Sequence, residues 1–212
     1  MQGYYHSVTL DADKCMGCTN CIKRCPTEAI RVRDGKAYII AERCIDCGEC
    51  IRVCPYHAKI AVTDPLDAIY DYKYKIALPA PTLYGQFKDL TSIDSVLHGL
   101  KLLGFDDVFE VARGADFATE FTKYQIKHTN PKRPIISSSC PAVVRLVQVR
   151  FPELISNLAD VQSPMEIAAQ IAKDNFSREH GVDIEEIGAF FITPCAAKAT
   201  SIRNPLGTER SS

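Results

Sequence analysis

Eight of the ten cysteines fall in two short runs, and that doubled spacing constrains the fold more than any other feature of the chain. From Cys15 the sequence reads CMGCTNCIKRCP, and 29 residues later, from Cys44, it reads CIDCGECIRVCP. Each copy has the spacing C-x2-C-x2-C-x3-C-P. Such a run sets three thiolates on one tight loop around an iron-sulfur cubane, while the fourth points to the neighbouring cubane. The expected ligand sets are Cys15, Cys18, Cys21 and Cys54 for one 4Fe-4S cluster, and Cys44, Cys47, Cys50 and Cys25 for a second. Structural zinc also uses C-x2-C pairs, but rarely three cysteines at successive three-residue intervals. Eight thiolates complete both clusters, so His6 and His57 are read as packing or surface residues.

Between the copies, AIRV and AYII flank RDGK, where Asp34-Gly35 offers the positive-φ pair that a two-residue hairpin turn requires. Residues 1–63 are therefore expected to form a small α+β domain with a thin core, whose folding leans on metal ligation. The doubled run with its trailing prolines, Pro26 and Pro55, resembles bacterial-type two-cluster ferredoxins. From Asp11 to Lys59 there are nine basic and seven acidic residues, so net charge steers a redox partner only weakly.

The formal net charge of -1 gives no basic surface for nucleic acid. No apolar run approaches the roughly 20 residues of a membrane span, and MQGYYHSVTL does not read as a secretory signal. With no export signal and the cysteines clustered rather than dispersed, a reducing cytoplasm is the expected location.

Residues 64–74 read as a linker, and residues 75–212 as an α/β domain with a mostly parallel sheet. Ile93, Val96, Leu97, Leu100 and Leu103 recur at helical spacing behind Thr91 and Ser92, and Gly104 stands at the expected stop. Phe117, Phe121 and Tyr124 mark a second helix. RPIIS reads as a strand running into Cys140, followed at once by a helix with Pro141 in its first turn and Val143, Val144, Leu146 and Val147 on its buried flank. Ser163-Pro164-Met165-Glu166 is a capping box opening a helix that ends near Gly181. IGAFFIT then reads as a strand running into Pro194-Cys195. Both remaining cysteines are thus expected at strand ends, where open α/β sheets bind ligands. No Gly-rich phosphate loop or nucleophile elbow supports phosphoryl or acyl transfer.

The segment SSSCPAVVRLVQVRFPELISNLADVQSP resembles the first signature of iron-iron hydrogenases, ITPCAAKATS resembles their second, and LGFDDVFEVARGAD is also similar to that family. The resemblance implies a hydrogenase-type H-cluster domain, whose cofactor is a cubane joined through a shared thiolate to a two-iron unit bearing CO, cyanide and a dithiolate. It implies that Cys140 and Cys195 are two of the four cubane ligands. Lys198 falls where the family's lysine donates a charge-assisted hydrogen bond to an iron-bound cyanide. Ala80, Pro81 and Thr82 match the segment lining the two-iron pocket.

Three departures follow from the same resemblance. The third signature, with the last two cubane cysteines, would lie beyond Ser212, so the domain is expected to be incomplete at its C-terminus and the chain a fragment of a longer protein. An H-cluster is expected only if the missing ligands are supplied. Ser139 replaces the cysteine that relays protons, and an alcohol is far less acidic than a thiol titrating near 8.5. Thr193 and Ser201 replace a methionine and a glutamate. These changes resemble sensory members of the family, implying an anaerobic, low-turnover protein that senses hydrogen or slowly interconverts hydrogen and protons. Its expected partners are a ferredoxin-like redox protein or signalling modules in a longer chain. The competing expectation is a non-enzymatic 4Fe-4S electron-transfer or scaffold protein. Glu120 is read as an exposed helix residue rather than a proton-path acid.

Overall fold

The computed structural model describes residues 5–129 and 131–205. In chain order it forms β1 (Val8–Leu10), α1 (Asn20–Arg24), β2 (Ile30–Arg33), β3 (Lys36–Ile39), α2 (Glu49–Arg52), β4 (Lys59–Ala61), β5 (Tyr74–Pro79), α3 (Ile93–Leu102), β6 (Asp107–Val108), α4 (Val111–His128), α5 (Pro141–Arg150), α6 (Pro164–His180), β7 (Ile187–Ile192) and α7 (Ala196–Arg203). These elements gather into two compact units that do not follow chain order. One combines residues 1–63, 134–158 and 195–212, and the other residues 64–133 and 159–194.

In the first unit the internal repeat is visible as two antiparallel pairs, β2 with β3 and β1 with β4. The β2–β3 register closes with Arg33 opposite Lys36, leaving Asp34 (φ 51°) and Gly35 (φ 72°) as the turn, so the hairpin expected at that pair forms. The short helices α1 and α2 carry the third cysteine of each copy, Cys21 and Cys50, on their buried sides. Val8, Ile30, Ala37 and Ala58 pack with five of the thiols, those of Cys15, Cys21, Cys25, Cys50 and Cys54, and Ala196 of α7 joins the same core. The α7 helix is fastened to β1 by polar contacts: Ser7 Oγ donates to the Ala196 carbonyl at 2.6 Å, and the Ser7 backbone N–H donates to Thr200 Oγ1 at 3.0 Å.

The second unit centres on a parallel sheet of order β6-β5-β7. Its middle strand, YKIALP, is apolar because both faces are covered: Ile76, Leu78 and Ile187 pack against Met165, Ala168 and Phe176 of α6, while Ala77 meets Leu100, Phe105 and Ile69. Ile69 belongs to the turn Leu66–Asp71, within the stretch read above as a linker. The capping box at the start of α6 is formed in both directions, with Ser163 N–H donating to Glu166 Oε2 at 2.8 Å and Glu166 N–H to Ser163 Oγ at 3.5 Å. Gly181 closes that helix with φ 63°.

Several elements differ from the sequence reading. RPIIS forms no sheet strand; Ile136 makes a single parallel bridge to Leu158, with its N–H donating to Asn157 O at 2.8 Å. Short apolar runs carry too little periodicity to specify pairing. On α5 the buried flank is Pro141, Val144 and Val147, whereas Val143 is exposed. Phe117, Phe121 and Tyr124 do lie on one helix, α4, but all three are exposed. The buried side of α4 is Val111, Gly114 and Ala118, because a Cβ at Gly114 would run into the Pro164 carbonyl and Ala168 of α6. Small residues let the two helices approach, and small residues leave no apolar stripe.

Candidate metal centres

Two hollows in the first unit collect the eight repeat cysteines. One is lined by Cys15, Cys18, Cys21 and Cys54. The other is lined by Cys25, Cys44, Cys47 and Cys50. The fold thus exchanges the fourth thiol between copies, in the grouping that the spacing implies.

Backbone geometry treats these sulfurs as acceptors. Ala37 N–H donates to Cys15 Sγ at 3.3 Å, Ala29 N–H to Cys25 Sγ at 3.2 Å, and Ala58 N–H to Cys54 Sγ at 3.3 Å. The Ala37 N–H holds the Cys15 thiol below its ordinary value. At Cys54 burial pushes upward, yet the N–H groups of Lys59, Ala58 and Tyr56 together prevail and the thiol is lowered. Burial instead raises Cys21 and Cys47, and pushes Cys44 and Cys50 up to about 12. Converging thiols whose ionisation is opposed by burial but supported by N–H donors fit a cationic iron-sulfur core, since metal binding displaces the thiol protons. The donor set and the hollows fit 4Fe-4S cubanes.

Other polar groups border the hollows. Asp46, buried between Cys44 and Cys47, accepts from Val8 N–H at 3.0 Å and from His6 Nδ1 at 2.7 Å. His6 is thus a largely buried partner of a carboxylate, while His57 is exposed. His6, Cys44 and Asp46 lie close enough together for one ligand atom of each to fall within 4.8 Å of the others. Lys59 lines the first hollow and is only 2% exposed. Sequence reading passed over both Asp46 and Lys59; aligning the repeat copies would have drawn attention to them, because Gly17 and Ile30 are their counterparts.

The remaining two cysteines occupy helix starts in the first unit. Cys140 is the N-cap of α5 and exposed; Cys195 is the N-cap of α7 and half-buried. The two helices α5 and α7 pack on each other. Lys198 Nζ donates to the Ser139 carbonyl at 3.5 Å, which brings the two residues together. The Ser139 hydroxyl accepts from Ser137 Oγ at 3.2 Å. Ser201 Oγ donates to the Lys198 carbonyl at 2.9 Å. Ala80, Pro81 and Thr82 belong to the second unit, just past β5: Ala80 is buried and its N–H donates to Ile192 O at 3.0 Å, while Pro81 and Thr82 are exposed. Thr193 follows β7 in that unit. Glu120 is exposed on α4 and paired with Lys123 at 2.7 Å.

A cubane takes four thiolates. Eight of the ten cysteines line the two hollows, so Cys140 and Cys195 cannot complete a third cubane from this sequence. The residues present do not by themselves fit a whole H-cluster. Among the described residues no helix is long and apolar enough to cross a membrane.

The family model for the C-terminal domain of the iron-only hydrogenase large subunit matches residues 73–209, and a 4Fe-4S dicluster domain matches residues 7–55. The periplasmic [Fe] hydrogenase large subunit of Nitratidesulfovibrio vulgaris is 30% identical over 212 residues, covering 91% of this chain and 50% of the relative. The chain therefore spans about half the length of that relative. A shorter match, 31% identical over 72 residues and covering 34% of this chain and 12% of the relative, is to the cytosolic Fe-S cluster assembly factor nar1 of Talaromyces marneffei. Among solved structures, a variant of the apo [FeFe]-hydrogenase HydA1 from Chlamydomonas reinhardtii superposes with a TM-score of 0.50 at 24% identity, covering 64% of this chain and 36% of that one, a likeness of fold. With paired cysteine hollows matching a dicluster domain and 73–209 matching the large-subunit model, the chain belongs to the iron-only hydrogenase family.

Proposed function

We propose that this chain is the electron-relay portion and the first part of the H-cluster domain of a hydrogenase-type redox protein that senses hydrogen or turns it over slowly. In this reading two 4Fe-4S clusters occupy the two hollows, and a ferredoxin-like protein or a signalling module exchanges electrons with them in the cytoplasm. The observation that carries the reading is the joint placement of Ser139, Cys140, Cys195 and Lys198 on two packed helix starts in the same compact unit as the cysteine hollows. Cys140 and Cys195 are proposed as two ligands of a further cubane, completed by thiolates from outside this sequence. That group, when bound, supplies the hydrogen chemistry.

The side chains of this chain set the limits. Lys198 offers an ammonium donor beside Ser139, within the part of α7 that Ser201 braces. At Ser139 the proton sits on an alcohol rather than on a thiol of ordinary value near 8.5, which makes release to a neighbouring base much harder and favours low turnover. A second reading, a non-enzymatic iron-sulfur scaffold, is supported by the likeness to the nar1 assembly factor and by the two cysteines left over.

Iron and acid-labile sulfide counts on anaerobically reconstituted chain, with electron paramagnetic resonance of the reduced sample, test the cluster proposal. It expects about eight irons per chain in two interacting cubanes; two zinc ions and no iron would refute it. Hydrogen-dependent reduction of those cubanes, in protein supplied with the missing ligands, separates the enzyme or sensor from the scaffold.

A further inference from the structure

The two hollows are built from repeat copies, and a fixed offset relates every cysteine of one to a cysteine of the other. The same offset relates Ile30 to Lys59. Both are 2% exposed. Ile30 lines the second hollow and Lys59 lines the first. The fold therefore buries an alkyl group beside one set of thiols and an amine at the matching place beside the other.

Lys59 Nζ has no hydrogen-bond partner among the described residues. A buried ammonium without partners is strongly disfavoured, so its persistence in a core position points to a negatively charged group in the hollow it lines. Other charges deepen the asymmetry. Lys36 lies on the side of the first hollow, its Nζ donating to the carbonyls of Ala12 and Cys15 at 2.8 and 2.9 Å. The second hollow is lined instead by the carboxylate-bearing Asp46. The charge of Lys59 favours ionisation of three thiols of the first hollow, Cys15, Cys21 and Cys54, and of Cys50 in the second.

We propose that Lys59 is a positioning residue for electrons: its buried charge makes the cubane of the first hollow the more easily reduced of the two and gives the relay a direction. The reason is electrostatic, because reduction adds one negative charge to a cluster, and a fixed positive charge in a water-poor site stabilises that added charge. The inference rests on the cluster reading above.

The test is a redox titration of the anaerobically reconstituted chain followed by electron paramagnetic resonance, with iron and sulfide counted on every sample. Cys18→Ser, at the exposed ligand position of the first hollow, identifies which signal belongs to that cubane. Lys59→Ile makes the two copies alike, and Lys59→Met keeps the length of the side chain in case isoleucine disturbs folding. The expected result is a tenfold or larger weakening of reduction at the first-hollow cubane alone, a downward shift of about 59 mV per tenfold for a one-electron couple. Full iron content with both potentials unchanged, or with the shift on the second cubane, overturns the role of Lys59 and leaves the cluster reading standing. Absence of iron from the wild-type chain overturns both.

Discussion

Gly17 and Gly48 both lie in the left-handed region, at φ 64° and 76°, but in different surroundings. A Cβ on Gly48 meets nothing within 4 Å, whereas one on Gly17 would stand 2.5 Å from the Gly35 carbonyl oxygen and 3.0 Å from its carbon. Gly48→Ala should therefore cost only the left-handed penalty, about 1–2 kcal/mol. Gly17→Ala carries that cost plus overpacking of about 1–3 kcal/mol, and the atoms it meets are backbone of the β2–β3 turn, which cannot swing aside as a side chain can. The repeat supplies an internal comparison, since the counterpart of Gly17 is Asp46, a side chain at φ 51°. The measurement is urea unfolding of the reconstituted chain, read by loss of cluster absorbance and by circular dichroism, with both variants beside wild type. Gly17→Ala should shift the transition further than Gly48→Ala by about 1–3 kcal/mol. Equal effects of the two substitutions, within about 0.5 kcal/mol, would refute the steric account of the loop bearing Cys15 and Cys18.

Chelation of iron should release the amides of β1 to β4 to hydrogen exchange while those of β5 and β7, held by Ile76, Leu78 and Ile187, remain protected. Ser163→Ala should cost about 1 kcal/mol in thermal unfolding, because it removes one half of the α6 capping box; no change would mean that the Glu166 contact to the Ser163 N–H suffices. Tyr84, which is raised by burial and by its bond to Glu110 at 2.8 Å, holds its proton in the fold above the ordinary phenol value of about 10. Its contribution to stability is thus complete below that value and is lost as pH rises toward the folded value. Tyr84→Phe should flatten that part of the alkaline stability profile in denaturant titrations.

The cysteine spacing, the Asp34-Gly35 turn and the Ser163 box were legible because each encodes its geometry within a few residues. The start of α3 is another such case, with Ser92 Oγ accepting from Asp94 N–H at 3.1 Å. What escaped notice depends on contacts that local pattern does not carry. Gly114 and Ala118 bury the inner face of α4 by being small, so the exposed aromatics of that helix give a misleading stripe. Ile136 has the composition of a strand residue but meets only Leu158. The first unit draws on three separate stretches of chain, joined in part by the hydroxyls of Ser7 and Thr200, which no apolar periodicity would single out. Lys59 was hidden for a different reason: lysine in a short strand usually reads as a solvated face.

The bond between Ser7 and Thr200 spans 193 positions of the chain. At a synthesis rate of roughly 5–20 residues per second, about 10 to 40 s separate the emergence of its two ends from the ribosome. The eight thiols of both hollows all lie between Cys15 and Cys54, well ahead of α7 in the chain. During synthesis, iron delivery to these thiols can precede the docking of α7. Cys195 would then arrive at a surface already shaped by the two cysteine hollows.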